Sequence, residues 1–362
     1  MRKVGIVCAF NPGNTGMLSV DLAASSVLNS WNIEHTLINF QKRPWRLPSK
    51  FRVCRTSAKL AQFTHLLFWG DFQNNPIYGT RDFANREMKF GYASTKQDAI
   101  SNWTRLHLSL AQELPRSTVI ASIGNCFLGT HSATAEHNLF EPLKTFADSA
   151  ISILPREARS EKELVEAAGG APRDNIRSAL DTAFLLEFGE SVDPRERECF
   201  GYCFARSGVA DIAEGVQKIS ERTGLTAVEV PWSVGTRRVS QEKIFARALE
   251  VVPKCRFIVS DVYHLTVNAM NHGTPVLAVS RLDSPTQSSV DDQKKYALAE
   301  QIGATDLHIA LGADASILSS VSSIIETYER LMDREISFDE IRQGLRSRKD
   351  RYRSAIKDIL DA

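Results

Sequence analysis

The segment that most constrains the fold is residues 255–280, which read CRFIVSDVYHLTVNAMNHGTPVLAVS. Phe257–Val259 and Pro275–Val279 are short apolar runs with β-branched residues, the pattern of buried parallel strands. Between them, apolar residues recur at helical spacings, and Gly273 suits the left-handed position that ends a helix. The segment therefore predicts a strand, helix, strand unit of a parallel α/β sheet.

The helix of this unit begins where its first strand ends, and that position indicates a ligand site. Ser260 and Asp261 follow the strand and are predicted to cap the helix by accepting its free amide hydrogens. His264 then lies in the first helical turn, at an edge where open α/β sheets bind ligands and a helix N-terminus attracts anions. A local hydrogen bond would also explain a lone histidine. We predict that His264 is a catalytic acid or base and that Ser260 contacts the substrate.

This segment also resembles a known signature. Ser260-Asp-x-x-His264, a helix of small residues and Gly273-Thr-Pro-Val276 resemble the motif of the polysaccharide pyruvyl transferase family, whose members commonly have Ser-x-Arg-x-His. Val262 stands where that arginine would be. The resemblance implies a transferase that moves a pyruvyl group from phosphoenolpyruvate to two sugar hydroxyls, as a ketal, in cell-surface or extracellular polysaccharide biosynthesis. It implies a GT-B-like fold and no cofactor beyond the donor substrate.

The start of the chain repeats the strand, turn, helix order. Val4–Phe10 predicts a strand, and the turn Gly13-Asn14-Thr15-Gly16 precedes a helix, as in loops whose backbone amides bind phosphate. A simple tight turn explains the glycines equally well. The family has Gly-Asn-x-Gly-Asp near its start, so the resemblance implies that Asn14 and Gly16 bind substrate, although Met17 replaces the Asp.

Four more candidate site residues follow predicted strands. Asp71 comes after a glycine at a strand end, where a carboxylate serves as general base for a sugar hydroxyl or caps a turn, and both interpretations stay open. Arg156 and Arg206 follow strands in the two halves of the chain. Lys294 matches the family's Asp-x-Lys, with Lys295 as a solvated neighbour. Because such cations bind carboxylates and phosphates, we predict that Arg156, Arg206 and Lys294 bind substrate.

Two strand and helix series flank a polar linker, Glu187–Arg197, that contains glycine and proline. We predict an N-terminal Rossmann-like domain at 1–188 on the acceptor side and a C-terminal Rossmann-like domain at 198–335 on the donor side. A helix at 336–362 is predicted to pack back. The predicted fold class is α/β, with two Rossmann-like domains facing across a cleft, as in GT-B proteins.

The balance of charge excludes a general attraction to nucleic acid. Lys and Arg number 44 against 43 Asp and Glu, a formal net charge of +1, so local groups must bind any anion. Arg237 and Arg238 need no role in anion binding, because charged residues are common on a solvent-exposed surface. The six cysteines include no C-x-x-C pair, which favours buried thiols in a reducing compartment. No convincing metal-ligand set, signal peptide or membrane-spanning run occurs. We expect a cytoplasmic protein whose basic C-terminal helix packs on the protein or contacts the inner face of the membrane.

The expected partners are an anionic small-molecule donor and a sugar or lipid-linked glycan acceptor, and three functions remain open. The first is pyruvyl transfer. The second is a GT-B nucleotide-sugar glycosyltransferase in which Arg206 and Lys294 bind a diphosphate. The third is a non-catalytic carbohydrate-binding or assembly protein on the same fold, which the departures Val262 and Met17 favour. Fold alone does not separate the three.

Overall fold

A computed structural model of the chain describes residues 2–8, 13–41, 51–189, 193–234, 240–281, 290–312 and 314–362. Phe10 of the predicted first strand, part of the predicted linker, and the pair Arg237-Arg238 lie outside these residues. The chain divides into two compact units. Unit 1 comprises Met1–Phe10, Val20–Leu185 and Asp350–Ala362, and unit 2 comprises Asn11–Ser19 and Leu186–Lys349.

Unit 1 is built on a sheet of parallel strands. They are β1 Val4–Cys8, β2 His35–Asn39, β3 Phe51–Val53, β4 His65–Asp71, β5 Val119–Asn125 and β6 Ser152–Leu154. Their order in the sheet is β3-β2-β1-β4-β5-β6, the order of the doubly wound Rossmann fold. Every residue of β1 is buried, as expected for a central strand covered on both faces.

Eight helices connect or flank these strands within the described residues. They are α1 Thr15–Ser30, α2 Ser57–Leu60, α3 Pro76–Tyr78, α4 Ala84–Lys89, α5 Lys96–His107, α6 Thr130–His137, α7 Phe140–Ser149 and α8 Ala158–Ala167. The first turn of α1, up to Ser19, belongs to unit 2, and the rest of that helix belongs to unit 1.

Unit 2 is built on a second parallel sheet. Its strands are β7 Cys199–Cys203, β8 Thr226–Glu229, β9 Cys255–Ser260, β10 Val276–Ser280 and β11 His308–Ala310, in the sheet order β11-β10-β9-β7-β8. Its helices are α9 Ile212–Thr223, α10 Gln241–Val251, α11 Tyr263–His272, α12 Val290–Ile302, α13 Val321–Met332 and the start of α14, Phe338–Asp361. The segment 255–280 forms β9, α11 and β10, and Gly273 ends α11 with a φ of +85°. The predicted strand, helix, strand unit is therefore confirmed.

The C-terminal helix α14 contributes residues to both units. Its final residues, from Asp350 onward, belong to unit 1, where Tyr352, Ile356 and Leu360 are buried. Among the described residues, no helix is long and apolar enough to cross a membrane.

Candidate functional site

The candidate site lies at the carboxyl ends of β7 and β9 in unit 2. Helix α11 starts three residues after the last residue of β9, and its N-cap residue, Val262, makes no side-chain capping bond. His264 is the second residue of α11 and is buried. The prediction that His264 lies in the first helical turn at the end of a parallel strand is confirmed.

Ser260 joins two neighbouring strands at this edge. Its hydroxyl donates to the carbonyl of Cys203 at 2.8 Å and accepts the amide of Val262 at 3.1 Å. The side chain is completely buried between these strands. The hydroxyl is therefore bonded within the sheet and links the ends of β7 and β9, and its predicted contact with substrate stays a prediction.

Asp261 caps a different segment from the predicted one. Its carboxylate accepts the backbone N–H groups of Ala205, Arg206 and Ser207 at 2.7, 2.8 and 2.6 Å. These residues form the loop after β7, which is the neighbour of β9 in the sheet. Three consecutive amides turned towards one point form an anion-binding concavity. The carboxylate of Asp261 therefore occupies the anion-binding concavity of this loop and does not cap α11.

Lys295 completes the same buried network. Its Nζ donates to the Asp292 carboxylate at 2.7 Å, to the Ser207 hydroxyl at 2.7 Å and to the Asp261 carbonyl at 3.1 Å. Burial lowers the pKa of the Lys295 ammonium group, and its bond to Asp292 opposes that change. Lys295 is fully buried, which corrects the prediction of a solvated neighbour.

Five side chains at this edge, which we call the rim cluster, form a continuous series of contacts. The cluster comprises Arg206, Tyr263, His264, Asp291 and Lys294. The ring of Tyr263 meets the ring of His264 edge-on at 5.1 Å, and Lys294 Nζ lies 5.5 Å from the Tyr263 centroid. Lys294 is bonded to Asp291, whose other carboxylate oxygen lies 3.8 Å from Arg206 Nη1. The structure thus brings together three predicted site residues, His264, Arg206 and Lys294, and adds Tyr263 and Asp291, which were not predicted as site residues.

The charges of the rim cluster act on each other. Burial by itself raises the pKa of the Asp291 carboxyl group. The positive charges of Lys294 and Arg206 outweigh this effect and hold the pKa below its usual value. Asp291 is therefore ionised at neutral pH and faces two cations.

The first turn of α1 supports the histidine of the rim cluster. A β-carbon added to Gly16 would lie 2.5 Å from Nδ1 of His264, so only glycine lets this turn approach the ring. Asn14 accepts the amide of Gly16 at 2.9 Å, and Thr15 donates its hydroxyl to Gln241 at 2.6 Å. Asn14 and Gly16 therefore shape and pack the turn beside His264. Their predicted contact with substrate stays a prediction.

Arg156, in unit 1, contacts two buried carboxylates. Its guanidinium group is buried, with Nε 3.1 Å from the Glu157 carboxylate and Nη1 3.3 Å from the Asp181 carboxylate. Burial raises the pKa of Glu157, and the charge of Arg156 opposes that rise. Because two buried carboxylates require this cation, Arg156 has a structural role, and its predicted binding of substrate stays a prediction.

Asp71, also in unit 1, is the last residue of β4. It is half-buried and has a φ of +59°, and it follows Gly70, whose φ is +68°. Two successive left-handed residues are costly for a non-glycine side chain, and such strain clusters at functional sites. Its role as a general base stays a prediction.

No group of three or more His, Cys, Asp and Glu side chains suited to a metal ion occurs among the described residues.

Comparisons with known proteins address the fold. No protein-family model matches the sequence, and no curated protein matches it significantly. A candidate UDP-N-acetylglucosamine 2-epimerase from Listeria monocytogenes is 13% identical, with a TM-score of 0.52, and the match covers 98% of this chain and 95% of that one. An alpha-glucosyltransferase in complex with UDP and a 13-mer DNA containing an HMU base is 12% identical, with a TM-score of 0.51 and 99% of each chain covered.

The alpha,alpha-trehalose 6-phosphate synthase from Burkholderia multivorans is 9% identical, with a TM-score of 0.51, and the match covers 99% of this chain and 98% of that one. At these identities the similarity shows the fold alone. The fold is α/β of the GT-B type with two Rossmann-like domains, as predicted. That the two sheets face a common cleft stays a prediction.

Proposed function

We propose that this protein is a GT-B enzyme that uses a nucleotide-sugar donor and binds the donor's diphosphate at the rim cluster. The observation that carries the proposal is the continuous contact from His264 through Tyr263 to Lys294 and on to Arg206. Two cations beside the start of a helix provide the charge and the amide donors that a diphosphate needs.

The donor class comes from the similar structures. One of them is a complex with UDP, and another is named for a UDP-sugar. Unit 2 of this chain carries cationic side chains where its parallel strands end, which is where open α/β sheets bind ligands. The identities are too low to transfer residue roles, so the roles below come from the geometry of this chain.

Each member of the site has a distinct role in this proposal. Arg206 and Lys294 stabilise the negative charge that develops on the leaving diphosphate, which is the electrostatic term that usually dominates catalysis. His264, held between Gly16 and Tyr263, binds the diphosphate or exchanges a proton with the substrate. Independently of the rim cluster, Asp71 keeps its predicted role as a general base for a sugar hydroxyl. The acceptor is a sugar or a lipid-linked glycan.

Pyruvyl transfer from phosphoenolpyruvate is the second candidate. The signature of Ser260, His264 and Gly273-Thr-Pro-Val276 favours it, because this motif resembles that of the pyruvyl transferases. The same cations would then bind the carboxylate and phosphate of phosphoenolpyruvate, and His264 would protonate its methylene carbon.

An assay of donor consumption separates the candidates. The protein is incubated with UDP-sugars or phosphoenolpyruvate, each with free and lipid-linked glycans, while release of UDP and of phosphate is followed. We expect acceptor-dependent release of UDP. Release of phosphate from phosphoenolpyruvate alone would favour pyruvyl transfer, and the absence of both products would favour a non-catalytic protein.

His264→Gln tests the site within the same assay. Loss of an acid, base or diphosphate contact should lower the rate about 10²- to 10⁴-fold, with a thermal midpoint close to that of the wild type. Lys218→Ala is the control, because Lys218 is an exposed cation on α9 that pairs only with Glu214 among the described residues. Equal rates for all three proteins would remove His264 from the site.

A further inference from the structure

The two cations of the rim cluster already face an anion that belongs to the chain. One carboxylate oxygen of Asp291 is bonded to Lys294 Nζ, and the other lies 3.8 Å from Arg206 Nη1. A carboxylate between two cations occupies the place that the proposed function assigns to a phosphate group. Asp291 and the donor therefore compete for the same two side chains.

Asp291 differs from the other carboxylates of this edge in how firmly it is held. Asp261 and Asp292 are buried, and Asp261 alone accepts three backbone amides. The side chain of Asp291 is 46% exposed, and its contact with Arg206 is longer than a hydrogen bond. Exposed ion pairs of this kind are weak, because water screens them and both side chains lose freedom. Asp291 is therefore the carboxylate that a ligand can displace.

We infer that Asp291 is an internal competitor for the donor's diphosphate at Lys294 and Arg206. The inference rests on the proposed function, whose donor site it refines. A diphosphate spans both cations, so it displaces the carboxylate when it binds. Asp291 thereby lowers the affinity of every anion that needs both cations by the same factor, which is the fraction of molecules in which its own contacts are open.

The test is a calorimetric titration of pyrophosphate and of inorganic phosphate into the wild type, Asp291→Asn and Asp291→Ala. Removal of the competitor should tighten the binding of pyrophosphate and of phosphate by a similar factor, about 3- to 10-fold, since a weak ion pair no longer has to open. In the double variant Asp291→Asn/Lys294→Ala the gain should disappear.

Asp306→Asn is the matched control, because it removes the same charge from another ion pair. Asp306 precedes β11, at the amino edge of the same sheet, and contacts Arg330 at 3.3 Å. This variant should bind both anions as the wild type does. If Asp306→Asn and Asp291→Asn bound the anions equally more tightly than the wild type, the change in net charge alone would explain the effect and the inference would be wrong.

The remaining outcomes separate the inference from the donor assignment. If the wild type binds UDP and pyrophosphate but Asp291→Asn binds pyrophosphate equally or more weakly, Asp291 positions the cations and the inference fails while the donor site stands. If only the Asp291 variants bind pyrophosphate and no protein binds UDP, the competitor stands and the nucleotide donor fails. If no variant binds any of these anions, both fail.

Discussion

The absence of a β-carbon at Gly16 allows the imidazole ring of His264 to lie against the first turn of α1. Its position beside His264 leaves no room for a β-carbon. From the sequence, the glycine turn was interpreted as a phosphate loop or a simple tight turn, because local sequence does not show which ring packs against it. The contact joins residues 248 positions apart in the sequence, and only the folded chain brings them together.

Gly16→Ala should therefore damage the site as well as the packing. Overpacking of this kind costs about 1–3 kcal/mol of unfolding free energy, and the displaced His264 should also weaken UDP binding. Gly344→Ala is the control, because Gly344 is exposed on α14 and an added β-carbon there meets nothing within 4 Å. That change should be neutral or stabilise the helix by up to about 1 kcal/mol. Urea unfolding and calorimetry of both variants provide the measurements; wild-type values for Gly16→Ala would contradict this role.

Helix α12 shows how two adjacent lysines come to have different roles. The family's Asp-x-Lys motif selects Lys294 and predicts that Lys295 is a solvated neighbour, but the helical spacing of the apolar residues distinguishes the two lysines better. Leu298 and Ile302 lie three and seven residues after Lys295, so Lys295 is on the apolar face of the helix. Lys294 is rotated by about 100° from that face and reaches the rim cluster.

The two lysines should respond oppositely to the same substitution. Lys295→Met leaves the buried Asp292 without its cation, which costs about 3–5 kcal/mol of unfolding free energy. Lys294→Met should unfold near the wild-type urea midpoint but lose about 1.5–3 kcal/mol of UDP binding energy. Parallel urea and calorimetric titrations measure both quantities. The reverse pattern, with Lys294→Met unstable and Lys295→Met deficient only in binding, would exchange the two assignments.

The start of α11 shows that the sequence around a helix end does not determine which groups its polar side chains bond. Ser260 and Asp261 have the composition of an N-cap, but the strand order places the loop after β7 beside them. An aspartate bonds to the nearest unsatisfied amides, and here three come from a loop more than 50 residues away in the sequence. Strand adjacency, which the sequence pattern did not predict, decided the outcome.

At the scale of the whole molecule, the alternation of strands and helices was enough to predict two Rossmann-like parallel sheets. It did not predict β3 and β11, which have three residues each at sheet edges. Three residues are too few to show a periodic pattern of apolar residues. These strands are recognised only by their pairing with β2 and β10. The sequence places Arg156 after a strand, as an anion site would require, but one of its two carboxylate partners, Asp181, lies 25 residues away and becomes a neighbour only after folding.

The sequence of the whole chain does not identify the donor substrate. Phosphoenolpyruvate and a nucleotide diphosphate both need two cations and a helix start, so residue types alone do not distinguish them. The motif resembles that of enzymes that use the first donor, and the proposed function adopts the second. With either donor, the proposed anion site is the rim cluster of unit 2, and this placement is the central claim.

Hydrogen–deuterium exchange with and without UDP tests that claim most directly. Binding at the rim cluster should slow exchange in peptides that contain the first turn of α11, Tyr263–Thr266, and the first turn of α12, from Val290 to Lys294. In Lys294→Ala the protection should be lost, and in Lys218→Ala it should remain. Protection confined to unit 1, or no change at either helix start at a UDP concentration that saturates binding, would contradict the placement of the donor in unit 2.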